Sequence, residues 1–333
     1  RSQWASKVDK NNPLPEYPRP QLVRPSWLNL NGVWEACVHD LESEPSFSDT
    51  IVVPFPAGSD LSGFDHVLQP NEILTVRRSF QNLISETTER LRLHFGAVDW
   101  SCTVWVNGIL VGTHAGGFDP FFFDITDALI ESEEQEIIVS VTDPTDTGDQ
   151  PVGKQTLNPF AIQYTAVAGI WQTVWLETVP VTCIERITTS TNIAEGSVTV
   201  TCHISNASDN MSLALTCSAD GSLVTQIECP ISQGKTEIVL NISDLHSWCP
   251  DDPFLYDLQL QIIDTNRSLI DQVDSYFGAR EITCEPDRNG HHRLYLNGKP
   301  YPNLLIKILL QLTLFLFQLY QQKVLLEFVL KLF

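Results

Sequence analysis

A chain of 333 residues is too long for one ordinary core and suits two domains with a fragment of a third. Hydrophobic residues make up 43% and charged residues 18%, which reads as globular; 20 Lys plus Arg against 41 Asp plus Glu leave a formal charge of -21. Such a surface repels phosphate backbones and argues against nucleic acid as a partner, and the eight cysteines show no C-x-x-C pair or Cys/His spacing suited to zinc, so neither a metal nor a cofactor is expected.

In chain order, residues 1–26 hold Pro13, Pro15, Pro18 and Pro20, which block helix and predict an extended lead-in that wraps over a domain surface. From Trp27 to Pro180 short segments alternate with a period of two, as in Val33 to Val38, Thr75 to Phe80 and "RLRLHF" (Arg90 to Phe95), the pattern of half-buried strands. Asn107-Gly108 sits between two β-branched runs and predicts a tight hairpin, because both residues tolerate positive φ. Over residues 181–280 the strands become plainer and poorer in aromatics, and about 100 residues of them predict a second sandwich of immunoglobulin-like size. Cys202 and Cys217 fall on strands that read as neighbours; two buried thiols explain them more simply than a disulfide, which would need an oxidising compartment. Asn206, Asn210, Asn241 and Asn266 each open an N-x-Ser acceptor, a mild pointer to a secreted or lysosomal-like compartment. Residue 1 is Arg and the only Met is Met211, so the start of the polypeptide is expected upstream.

Residues 303–333 break the pattern, with 12 Leu and 4 Phe. Their best apolar window, Leu304 to Tyr320, is 17 residues long and contains Lys307, shorter than the roughly 20 residues a membrane helix needs, so a membrane partner is not expected. Leu, Gln and Lys favour helix locally. The favoured reading is a non-native apolar tail, helical by local propensity, produced by a changed reading frame or a misread intron.

Several stretches taken together resemble glycoside hydrolase family 2, the group of β-galactosidases, β-glucuronidases and β-mannosidases. They are "PLPEYPRPQLVRPSWLNLNGVWE" (Pro13 to Glu35), "VPFP" (Val53 to Pro56), "FGAVDWSCTVWVNGILVGTHAGGFDPFFFDIT" (Phe95 to Thr126), "GIWQTVWLE" (Gly169 to Glu177) and "WCPDDPFLY" (Trp248 to Tyr256), followed by "YFGAREI" and "RLYLNGKPY". The resemblance implies an all-β front half: a jelly-roll, galactose-binding-like sandwich over 27–180, an immunoglobulin-like sandwich over 181–280, and the start of a (β/α)8 barrel over 281–302. It also implies that the catalytic glutamates belong to the barrel, at the C-terminal ends of its strands, and that the chain by itself is inactive while its partner is a β-glycoside carbohydrate. A stand-alone carbohydrate-binding or adhesion module of two sandwiches is the alternative, and "RLYLNGKPY" argues against it.

No residue of this chain is expected to be catalytic. Asn71-Glu72 imitates the family's acid/base pair but precedes a sandwich strand, and no G-x-S-x-G elbow supports a serine hydrolase. The long polar loop from Asp149 to Ala168 is the better binding candidate, since the resemblance places it toward the barrel's active site; Lys154, Gln155, Gln163 and Tyr164 are its expected substrate contacts. Asp99 and Asp119 read as turn residues that satisfy backbone, Trp100, Trp171 and Trp175 as core, and His291-His292 as a solvated turn.

Overall fold

A computed structural model of the chain describes residues 3, 5–208, 210–232 and 234–301. The helix expected over 303–333 lies outside the described residues. Among those described the chain is all-β, its only helical turns being the 3-10 segments Ala5–Lys7 and Thr126–Ala128. It divides into two compact units, one built from residues up to Arg19 and from Arg24 to Val181, the other from Pro20–Val23 and from Thr182 onward.

The first unit is a jelly-roll sandwich of two antiparallel sheets. Its larger sheet runs Asp49–Val53, Gly32–Asp40, Glu72–Gln81, Glu134–Thr142, Ser101–Val106, Ile109–Ala115, and its smaller one Trp27–Asn29, Val174–Pro180, Glu89–Phe95, Phe121–Asp124. Strict alternation in "EQEIIVSVT" sends Ile137, Val139 and Val141 inward, against Leu91, Leu93 and Phe95 and around a fully buried Trp34. Each such side chain contributes roughly 1.5–3 kcal/mol by leaving water. Asn107 and Gly108 join two strands with φ of 50° and 77°, so the Asn-Gly turn carries the right-handed twist of the hairpin.

Alternation fails in Val174–Pro180, which is buried on both faces. Its inner face joins the core; on its outer face Glu177 is closed over by the proline-rich lead-in and Trp175 by the His94 ring. Tyr17 Oη donates to Glu177 Oε1 at 2.6 Å and Arg19 to Oε2 at 2.7 Å, while Arg24 and His94 stand 3.6 and 3.3 Å from Oε2. Burial by itself would raise the Glu177 carboxyl, but the adjacent His94 imidazole and the Arg19 and Arg24 charges hold it far below the carboxylate range. Burial pushes His94 below its usual value, against the pull of Glu177, so it stays neutral while stacked on Trp175 at 4.7 Å.

The second unit is a plainer immunoglobulin-like sandwich. Cys183–Asn192, Ser197–Ser205 and Lys235–Asn241 form one sheet; Ser222–Pro230, Ser212–Ala219, Tyr256–Ile263 and Leu269–Phe277 form the other. Leu213, Leu215, Leu258 and Leu260 meet Val198, Val200, Ile238 and Leu240 between them. Leu22 of the lead-in joins this core, and Val23 bridges to Asp274 as a short extra edge. Cys202 and Cys217 sit in different sheets rather than on neighbouring strands, both as buried free thiols. Ile282–Pro286, His292–Leu296 and Lys299–Pro300 make a small antiparallel sheet in which His292 begins a strand.

Candidate functional site

The loop before the closing strand is held at several points rather than trailing free. Gln155–Thr156 pairs in parallel with Tyr164–Thr165, Tyr164 N–H donates to Lys154 O at 2.8 Å, and Gln163 N–H to Phe160 O at 3.1 Å. The Thr156 hydroxyl and Leu157 N–H both reach Asp146 Oδ2. At its far end Ala57 N–H donates to Ala168 O at 2.9 Å, which brings the "VPFP" segment beside the loop.

These constraints line a groove of about 330 Å³. Phe55, Phe118 and Trp171 form apolar walls, and Asp99 and Gln155 supply convergent polar groups. Asp99 lies in a two-residue strand whose register partner is Gly169. Gln155 Nε2 donates to Asp99 Oδ2 at 3.2 Å, while Gln155 Oε1 accepts Val167 N–H at 2.7 Å, so the amide has one orientation. Gly117 packs so closely that a Cβ there would lie 2.4 Å from Asp99 Oδ1, which makes glycine necessary for this carboxyl's position. Trp171 Nε1 donates to Gly117 O at 2.6 Å, and its ring meets Phe118 edge-on at 5.8 Å.

Burial, reinforced by the nearby Asp143 carboxylate and opposed by the Gln155 hydrogen bond, pushes Asp99 up to about 6. Burial raises Asp143 too. The two carboxyls share a cavity of about 10 Å³, room for about one water and far too little for a sugar ring, so they are not a glycosidase pair. Glu72 instead accepts from His66 Nε2 at 2.7 Å and Gln69 N–H at 2.9 Å; burial raises it, and these bonds outweigh that and keep it ionised. No group of three or more His, Cys, Asp and Glu residues is placed to hold a metal among the described residues, and no helix there is long and apolar enough to cross a membrane.

Of the four loop residues expected to bind substrate, Gln155 lines the groove. Lys154 and Tyr164 lie outside its lining and pair with each other, the ammonium 5.5 Å from the centre of the exposed ring, and Gln163 is half-buried beside them. Asp99 and Trp171 correct the sequence reading: neither is a plain turn or core residue, since both face the groove. Their signal was present in "GAVDW" and "GIWQ", but nothing local says that residues so far apart in the chain share one cavity.

A jelly-roll sandwich with a groove at its loops, followed in the same chain by an immunoglobulin-like sandwich, defines a tandem β-sandwich module of the kind found in carbohydrate-active proteins. The family model described as the sugar binding domain of glycosyl hydrolases family 2 matches residues 63–180, and a second model of glycosyl hydrolases family 2 matches residues 182–280. The chain belongs to glycosyl hydrolase family 2. It is similar to a β-galactosidase of Thermoanaerobacter pseudethanolicus, 26% identical over 64% of this chain and 28% of the relative, and to a β-glucuronidase of Paenibacillus borealis, 25% identical over 85% and 50%. The solved β-glucuronidase of Bifidobacterium dentium shares the fold, with a TM-score of 0.65 at 22% identity over 84% of this chain and 52% of that one. The chain thus spans between about a quarter and a half of these relatives' lengths.

Proposed function

We propose that this chain is the carbohydrate-recognising part of a β-glycosidase, with 27–180 as its sugar-binding domain, 181–280 as its immunoglobulin-like domain and 281–302 as the lead into a catalytic barrel. The observation that carries the reading is the groove: a ring face of a pyranose fits aromatic walls such as Trp171 and Phe118, and its hydroxyls fit the fixed Asp99 carboxyl and Gln155 amide. Lys154, Gln163 and Tyr164 extend the same loop toward the reducing or non-reducing neighbour of the bound sugar. Bond cleavage would fall to a carboxyl pair about 5–5.5 Å apart in the barrel, one protonated and one ionised.

Ligand-observed NMR of the purified chain with β-galactosides, β-glucuronides and β-mannosides tests this. One class should bind, and Trp171→Ala or Gln155→Ala should remove the signal while the chain stays folded. No aryl β-glycoside should be hydrolysed. Binding that ignores both variants, or turnover that vanishes on Asp99→Asn or Glu72→Gln, overturns the proposal.

A further inference from the structure

The second sandwich has a concavity of its own, about 390 Å³, with no residue in common with the groove above. It lies at Cys183–Asn192 and Leu269–Phe277, each the outermost strand of its sheet. Thr189 and Thr191 stand two residues apart on the first strand and therefore present their side chains to the same face, and Tyr276 comes from the second. Gln21 completes the rim; its carbonyl accepts the Ser275 hydroxyl at 2.8 Å, and the bridge from Val23 to Asp274 fixes the segment it belongs to.

Trp248 and the exposed Leu255 supply an apolar wall. The indole is fixed by its own backbone, since Trp248 N–H donates to Ala279 O at 2.8 Å and its carbonyl accepts Asn297 Nδ2 at 3.0 Å. Gly278 leaves room for it, because a Cβ there would sit 2.9 Å from the indole. The Arg280 guanidinium lies 4.8 Å from the centre of the Trp248 ring, exposed and without a carboxylate partner among the described residues. An aromatic face holds a guanidinium by its plane and leaves the N–H fork pointing outward.

A positioned cationic fork, three hydroxyls, an amide and an apolar wall converge on one space. A neutral sugar would use the hydroxyls and the wall and leave the guanidinium idle. We propose that this concavity is a second carbohydrate site, selective for a saccharide that carries an oxyanion, a carboxylate or a sulfate, held by Arg280. The hydroxyls of Thr189, Thr191 and Tyr276 take the saccharide's own hydroxyls, and Trp248 with Leu255 takes its C–H surface. The site belongs to the immunoglobulin-like sandwich and is independent of the groove reading.

Isothermal titration of the full 333-residue chain at low ionic strength tests it, with a uronate trisaccharide, a sulfated trisaccharide and an uncharged trisaccharide of matching linkage as probes. At least one anionic probe should bind roughly tenfold or more tighter than the uncharged one, the size expected when a charge-assisted hydrogen bond is added. Arg280→Gln should abolish that margin, and Thr191→Val should weaken the same probe severalfold, both with an unchanged circular dichroism spectrum. The tighter of the two anions identifies the oxyanion. Asp99→Asn, in the groove, should leave this binding as it was. Equal affinity for all three probes, no binding by either anion, retention of the margin in Arg280→Gln, or its loss in Asp99→Asn would each overturn the proposal.

Discussion

The first sandwich encloses Glu177 among Tyr17, Arg19, Arg24 and His94, whereas in the second the buried charged residue among those described is Asp271, which accepts the Ile184 N–H at 2.8 Å beside a largely apolar core. Each sandwich also takes in a piece of the lead-in, by different means. The first fixes Tyr17, Arg19 and Arg24 through one carboxylate, and the second takes Leu22 into its core and pairs Val23 with an edge strand. A buried ion cluster adds little net stability over a well-packed apolar equivalent, but it penalises any arrangement that leaves a charge unpaired. The first sandwich therefore gathers the charged part of the lead-in around one buried carboxylate, beside the Asn29 and Asn31 amides that donate to the Leu14 and Pro13 carbonyls, and the second holds its piece by an apolar side chain and backbone pairing.

The sharpest way to break this contrast is Glu177→Ala, which removes the carboxylate that Arg19 bonds and Arg24 faces and should cost the first sandwich about 3–5 kcal/mol. Hydrogen exchange should show loss of protection in Glu89–Phe95 and Val174–Pro180 and none in Tyr256–Ile263. Equal loss in both sandwiches would mean that they do not unfold as separate units. Leu260→Ala makes the opposite test: a fully buried side chain is removed from the second core at a cost of about 2–5 kcal/mol, and the exchange pattern should reverse.

Acid should separate the two units on the order of 2 kcal/mol. Glu177 is held below its unfolded value, so its contribution is complete above an unfolded pKa of about 4.5 and is lost as pH falls toward the folded one. His94, also depressed, works in the same direction from about pH 6.5 downward, because the unfolded chain takes up the proton that the buried ring refuses. The first sandwich should accordingly lose stability between pH 6.5 and acid while the second holds, a difference that tryptophan fluorescence can follow because Trp248 is the only tryptophan of the second unit. Coincident acid transitions would refute the assignment.

The smallest effect has the opposite sign. Asp99 has its folded value raised to about 6, so its ionisation opposes folding as pH rises from about 4 to 6, and Asp99→Asn should stabilise the first sandwich at pH 7 by about 1 kcal/mol. The same variant should lose affinity at the groove, as expected of a group kept for binding at some cost in stability. A destabilised Asp99→Asn chain would show that the carboxylate serves the fold.

The β class, several of the strands and the tight hairpin at Asn107-Gly108 were legible in the sequence, because period-two alternation and turn chemistry are local: each is settled by residues within a few positions of one another. The quoted stretches also sufficed to place the chain in its family, and the loop from Asp149 to Ala168 stood out by length and polarity alone. What the loop's residues do was decided elsewhere. Gln155 meets Asp99 56 positions away, Trp171 meets Gly117 54 positions away, and Tyr17 meets Glu177 160 positions away. Glu177 in particular sits in a strand whose pattern gives no sign that its outer face is covered. Burial of that face comes from a segment some 160 positions earlier in the chain, and only the closing of the two sheets, which carries distant chain segments into contact, determines which polar groups leave water together and so which of them can form a site.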